Sequence, residues 1–138
     1  LYAGQAINIT KTTGPHAFSY PFSIFYDFPH GNAVALSFPS FLFLNYGIGS
    51  MRLQPNINRE VHQKKMLKLY SILGMKKTED VKELMTNYIL NLGLKLKLPI
   101  DFDKDLIVEN INPQRSANNP VIVSPELINK VINDIMLY

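Results

Sequence analysis

An all-α bundle of six or seven helices is the fold the sequence predicts, and three observations predict it. Apolar residues recur at helical spacing in every long segment, and helix caps stand before two of those segments. The one run that alternates with period two, Leu94 to Leu98, is five residues long and has no partner run, so it reads as an extended connector before Pro99. A chain of 138 residues suits one domain and can bury a real core.

Residues 1–9 read as the tail of a helix whose small residues Ala3, Gly4 and Ala6 would let another helix approach closely. Asn8, Thr10, Thr12 and Thr13 end its apolar pattern, and Gly14-Pro15 marks a turn. Lys11, in that polar stretch, reads as a solvated side chain, with a phosphate or cofactor contact as the alternative. From His16 to Tyr26 the pattern is helical but interrupted by Pro21, whose missing N–H predicts a kink or a restart. Tyr26-Asp27-Phe28-Pro29 is a turn; Asp27 is expected to cap the next helix or, alternatively, to orient an imidazole. Residues 31–46 are the most apolar stretch and are expected to form the central helix, buried all round and kinked at Pro39.

Gly47, Gly49 and Pro55 make residues 47–58 a loop. Arg59 to Leu73 is helical, with Met66, Leu69, Tyr70 and Leu73 on one face. Lys64, Lys65 and Lys68 form a solvated face, with His62 an exposed neighbour and no ligand. Thr78, Glu79 and Asp80 open the next helix with a hydroxyl cap and two acids at the positive end of the dipole. Val81, Leu84, Met85, Tyr88 and Leu92 give it an apolar stripe, and Gly93 stops it. Asp103 to Asn110 reads as a short helix and Asn112 to Asn119 as an irregular turn. Ser124-Pro125-Glu126 is a cap, a first-position proline and a first-turn acid, and it opens a last helix striped by Ile128, Val131, Ile132 and Ile135.

Composition narrows the function classes. Fourteen Lys+Arg against eleven Asp+Glu leave +3, too small a surplus to predict nucleic acid as a partner. Hydrophobic residues at 46% and charged residues at 18% exclude a disordered chain. Without cysteine there is no disulfide framework and no thiolate, so any metal would take N and O ligands, and a cytoplasmic setting is expected. The longest apolar run, residues 33–46, is broken at Pro39 and predicts a buried helix instead of a membrane span; no signal peptide is visible.

Two of the three histidines and ten of the fifteen aromatic residues fall between His16 and Tyr46. Pro15 precedes His16, Pro29 precedes His30, and Gly31 follows the second histidine. Proline fixes its own φ and restricts the residue before it, so both imidazoles are expected at or near helix starts, on defined backbone. Two imidazoles held in this way could converge on one ion; the plain alternative is a helical core that contains two histidines.

The run GPHAFSYPFSIFYDFPHGNAVALSFPSFLFLNY resembles the signature segment of the iron-containing (group III) alcohol dehydrogenases, whose superfamily includes glycerol dehydrogenase and dehydroquinate synthase. In that family a His-Ala opens one helix and a Pro-His-Gly opens the next, and both histidines bind the metal. His16 and His30 match these positions, fourteen residues apart. The family often carries another histidine four places after the first, beside the substrate; here that position is Tyr20. AINITKTTGPHAFSYP and NINPQRSANNPVIVSPELINKVI are most similar to a branch that reduces phosphonoacetaldehyde-like substrates.

The resemblance implies the helical, dehydroquinate synthase-like C-terminal domain of an enzyme that reduces a small aldehyde with NAD(P)H. It implies iron(II), or zinc(II) as the alternative, on His16 and His30, with ring nitrogens roughly 3 to 4 Å apart. It also implies Tyr20 beside the reacting group and Phe18, Phe25 and Phe28 as pocket walls. The glycine-rich nucleotide-binding domain and the Asp and His that complete the family's metal site are not in this sequence, so a fragment is expected, inactive alone, partnered by its own N-terminal domain in a homo-oligomer. Neither nucleic acid nor membrane is expected as a partner. Two other readings stand beside this one: the matching domain of a synthase or lyase of the dehydroquinate synthase type, and a helical interaction module without catalysis. The synthase should need several phosphate-binding Arg and Lys near the metal, and the stretch from Phe18 offers none before Arg52.

Overall fold

The computed structural model describes residues 2–47, 49, 51–78 and 80–137. Among them are eight helices: α1 (Tyr2–Ile9), α2 (Gly14–Phe25), α3 (His30–Leu44), α4 (Arg59–Ile72), α5 (Asp80–Asn91), α6 (Lys104–Asn110), α7 (Pro113–Ser116) and α8 (Pro125–Ile135). The described residues hold no strand; the one β contact is a single antiparallel bridge between Leu53 and Val121. The all-α class is therefore the observed one. No helix is long and apolar enough to cross a membrane.

Side-chain caps explain where four helices start. Asn58 accepts from Val61 N at 3.1 Å, and Ser124 accepts from Leu127 N at 3.2 Å. Asp103 accepts from the amides of Asp105 and Leu106, and Asn112 from those of Gln114 and Arg115. Each satisfies backbone donors that a helix N-terminus leaves without partners. The Asn112 cap is why residues 113–116 wind into one helical turn instead of the irregular turn expected. Glu79, part of the expected cap of α5, lies outside the described residues. Gly93 (φ 81°) ends the run after α5 in the left-handed conformation that favours glycine. Both interior prolines are accommodated. α2 continues through Pro21 without a restart and α3 through Pro39, because a proline deletes only its own amide's bond and the neighbouring turns remain.

The helix α3 is central, packing on α2, α5 and α8, while α2 also meets α6 and α7. The main core is built from Phe18 and Phe22 of α2, Phe41 and Leu44 of α3, Ile107, Val121 and the α8 stripe of Leu127, Ile128, Val131, Ile132 and Ile135. Fully burying side chains of this size stabilises by about 1.5–3 kcal/mol each, so this cluster dominates the packing. A second cluster of Leu42, Met66, Tyr70, Met75 and Val81 joins α3, α4 and α5.

Periodicity misplaced three surfaces. In α5 the buried residues are Val81, Thr86 and Ile89, whereas Leu84, Tyr88 and Leu92 are exposed, since the side facing α3 is the one that is covered. Leu69 of α4 and Leu73, which follows it, are likewise exposed beside buried Met66 and Tyr70. α3 is not buried all round: Phe38 is 36% exposed and lines an open apolar cleft with Val34, Leu73 and Tyr88. Tyr2 and residues 4–9 of α1 are exposed, and a Cβ at Gly4 would meet nothing within 4 Å.

Asn119 is fully buried and ties the start of α2 to the end of α3. Its Oδ1 accepts from Gly14 N (3.2 Å) and Asn45 Nδ2 (3.0 Å), and its Nδ2 donates to Asn45 Oδ1 and Val121 O, both at 2.7 Å. Truncation would leave several partly or fully buried groups unpaired, at about 1–3 kcal/mol each. Asn119→Ala should therefore lower the unfolding free energy by on the order of 3 kcal/mol. Asn110→Ala, which loses only an exposed bond to Leu106 O, should change it by less than about 0.5 kcal/mol. Urea denaturation of the two variants checks this, and equal effects would contradict it.

Candidate metal centre

The first turn of α2 is placed by backbone contacts. Gly14 sits where a side chain has no room: a Cβ would collide with the Phe41 ring and lie 2.9 Å from Asn119 Oδ1. Thr13 O then accepts from His16 N (3.1 Å) and Ala17 N (3.2 Å), which closes the first turn with proline at its start. His16 is thus the third residue of α2, half-buried, and His30 is the first residue of α3, exposed. Both stand at helix starts, as their prolines predicted.

The two imidazoles come together, with ring centroids 5.2 Å apart and planes tilted by 46°. Two imidazoles on one tetrahedral ion, with metal–nitrogen bonds of about 2.1 Å, hold their centroids roughly 5 Å apart. The pair therefore fits a shared ion. Buried Ser19 orients the second ring: its Oγ donates to His16 O at 2.8 Å and lies 3.2 Å from His30 Nδ1. A serine hydroxyl has one hydrogen, so with that hydrogen on His16 O the oxygen accepts from Nδ1–H, and Nε2 of a neutral His30 keeps its lone pair. Among the described residues no group of three or more His, Cys, Asp or Glu gathers at metal-binding spacing.

Tyr20, one turn after His16, lies on the same side, its ring centroid 5.8 Å from that of His30. The Arg115 guanidinium carbon stands 3.9 Å from the Tyr20 ring centroid, a cation–π contact from a residue far along the chain. Asp27 neither caps α3 nor meets an imidazole. It holds a left-handed φ of 50°, which aspartate tolerates, Pro29 takes the cap position, and Ser19 does the orienting. His62 is half-buried instead of exposed, with Nε2 2.5 Å from Asn45 O, and it stays away from the pair.

The three phenylalanines expected as pocket walls separate. Phe18 is fully buried, packed on Phe22 and Phe41, and lines no open surface; its expected role is corrected, because its side of α2 faces the core. Phe25 is 44% exposed near the end of α2, and Phe28 is half-buried against Phe22. Sequence reasoning overlooked Ser19, Arg115 and Asn119. Ser19 was accessible to it, three places after His16 and hence on the same helix face. Arg115 and Asn119 carry no local signal, since their partners lie a long way back in the chain.

Burial, and secondarily the neighbouring His30, lowers the pKa of His16 below the ordinary 6.5. A lowered imidazole pKa means that falling pH charges His16 later than in the unfolded chain. Its contribution to stability is present above 6.5 and is lost as pH falls through the lowered value. In the metal-free protein, imidazole NMR resonances of His16 should titrate below 6.5 and move part of the way back in His30→Gln. A midpoint above 6.5, or one that His30→Gln lowers, would contradict this assignment.

No curated protein and no solved structure matches the chain. The family model described as "Fe-containing alcohol dehydrogenase family, C-terminal" matches residues 1–118, a stretch that includes His16, Tyr20, His30 and Arg115. With more than half its length covered, and with the histidine pair lying inside the match, this chain belongs to the Fe-containing alcohol dehydrogenase family as a C-terminal domain of that family.

Proposed function

We propose that this chain is the metal-binding half of an NAD(P)-dependent alcohol dehydrogenase that reduces a small aldehyde in the cytoplasm, with His16 and His30 as two ligands of one divalent ion. Iron(II) is the first candidate and zinc(II) the second, since imidazole and carboxylate ligands suit both. The observation that carries this reading is the pairing of the two imidazoles at 5.2 Å with the His30 Nδ1 held by Ser19. When bound, the ion supplies Lewis-acid polarisation of the aldehyde oxygen. The remaining ligands and the nucleotide site come from an N-terminal domain of the same polypeptide, and the whole enzyme is a homo-oligomer.

The chain's own residues have separable tasks in this reading. Burial keeps His16 neutral, the form in which imidazole ligates, over a wider pH range than an exposed histidine would manage. Ser19 fixes the tautomer of His30. Tyr20 presents a hydroxyl-bearing ring beside the pair, in the place where many relatives carry histidine, and its O–H is the nearest candidate to hydrogen-bond the substrate oxygen. The resemblance of residues 6–21 to the phosphonoacetaldehyde-reducing branch supports a short substrate. The synthase reading gains one observation from the fold, because Arg115 stands next to Tyr20; a single arginine at the site still falls short of the several phosphate-binding cations that reading needs.

In the full-length protein, His30→Ala should remove the bound metal and turnover together, while Tyr20→Phe should keep the metal. Metal content by elemental analysis, read beside NAD(P)H oxidation with aldehyde, distinguishes the two. Stoichiometric metal in His30→Ala would sink the proposal.

A further inference from the structure

Arg115 sits on a turn that is fixed in several places. Asn112 caps α7 by accepting from the amides of Gln114 and Arg115, buried Ser116 donates its hydroxyl to Pro113 O at 3.0 Å, and Asn119 N donates to Ser116 O at 2.9 Å. Asn119 also holds Gly14 N at the start of α2, so the backbone of Arg115 and the helix that carries Tyr20 share one anchor. From that turn exposed Arg115 reaches the Tyr20 ring at 3.9 Å, and the same ring lies 5.8 Å from the His30 imidazole. No carboxylate competes for the guanidinium, since the one ion pair among the described residues is Lys82–Asp134. Tyr26 and Tyr70 use their hydroxyls on the chain, 2.7 Å from Asp103 N and from Leu42 O. Tyr20 is held by its ring instead, and among the described residues its hydroxyl has no partner in the chain. A ring fixed through its face keeps its O–H for a ligand.

We infer that Arg115 is a positioning residue: stacked on Tyr20, it holds that ring beside His30 and leaves the phenol O–H free to meet the substrate oxygen. The inference rests on the reading of His16 and His30 as the reacting end, and it deepens that reading by assigning a task to a side chain outside the histidine pair. Arg115 acts through Tyr20 and touches no reacting atom. An exposed cation–π contact favours one ring position over the alternatives by about two- to fivefold, which bounds the effect on turnover. A lysine keeps the charge but lacks the plane that stacks on a ring, so Arg115→Lys should retain part of the hold.

The test uses the full-length protein, with propionaldehyde and NAD(P)H as the assay and with 3-fluorotyrosine in place of Tyr20 as a probe read by fluorine NMR in the metal-free protein. The fluorine resonance should lie apart from that of free 3-fluorotyrosine and move toward it in Arg115→Met, less so in Arg115→Lys. Arg115→Met should lower kcat by about two- to fivefold, with the KM for propionaldehyde and the bound metal unchanged, and Arg115→Lys should lower it less. In a Tyr20→Phe background Arg115→Met should leave kcat within about 1.5-fold, because the hydroxyl that Arg115 places is gone. Equal losses in both backgrounds would mean that Arg115 acts without Tyr20, and metal lost in Arg115→Met would make it a support of the fold; either overturns the inference. A protein that reduces propionaldehyde while its fluorine resonance and kcat ignore Arg115→Met fells this inference alone. A protein that binds neither iron(II) nor zinc(II) and does not oxidise NAD(P)H with propionaldehyde, yet whose fluorine resonance follows Arg115, keeps the stacking hold and fells the dehydrogenase reading.

Discussion

The side chain of Asn119 has four hydrogen-bonding positions, and in this fold all four are used inside the protein. Its contacts with Gly14, Asn45 and Val121 bring the first residue of α2, the residue after α3 and the segment before α8 to one enclosed point. A buried amide with unmet donors is expensive, so these three pieces of chain are held in one relative arrangement. Gly14 makes that arrangement possible by letting the Phe41 ring pass where a side chain would stand. The first turn of α2, and with it His16, is positioned from behind by this junction.

The two ends of α3 are treated in opposite ways. At its C-terminus the backbone carbonyls are taken up by α4: the Tyr70 hydroxyl donates to Leu42 O at 2.7 Å, His62 meets Asn45 O, and Arg59 donates to Gly47 O at 2.6 Å and Met51 O at 2.8 Å. Burial pushes the Tyr70 hydroxyl pKa up, which keeps it a donor at any physiological pH. At its N-terminus α3 has no side-chain cap, and its first residue is exposed His30. The closed end supplies rigidity, and the open end leaves the His30 ring accessible. A side chain on a helix start anchored through the far end of the same helix is held with little freedom to drift, which the proposed sharing of one ion by His16 and His30 would require.

Around the pair the environment is graded. Phe18 and Phe22 close the inner side of α2, Ser19 is the buried polar contact between the two helix starts, and Arg115 stacks on the Tyr20 ring. Of the four consecutive residues Phe18 to Pro21, Phe18 and Pro21 are buried in the core, Ser19 meets His30, and Tyr20 lies between contacts with His30 and Arg115, because successive helical residues point about a quarter-turn apart. One helical turn thus serves packing and imidazole orientation together.

Local chemistry determined a good deal of this protein. Proline and glycine punctuation placed both histidines at helix starts, the Ser124 cap located α8, and the α8 stripe lies buried as its spacing requires. These signals work because a cap, a breaker or a one-turn periodicity involves residues within a few places of one another. What tertiary structure alone decided has partners far apart in the chain. Periodicity could not say which side of α5 meets α3, whether the rings of Phe18 and Phe28 share one surface, or that Arg115 would come to rest on Tyr20. Asn119 looked like one residue of an irregular turn, and only the folded chain brings Gly14 and Asn45 to it. The positions of the two imidazoles were legible in the sequence because backbone breakers set them; the groups that orient and surround them were decided by packing, which no short window of sequence contains.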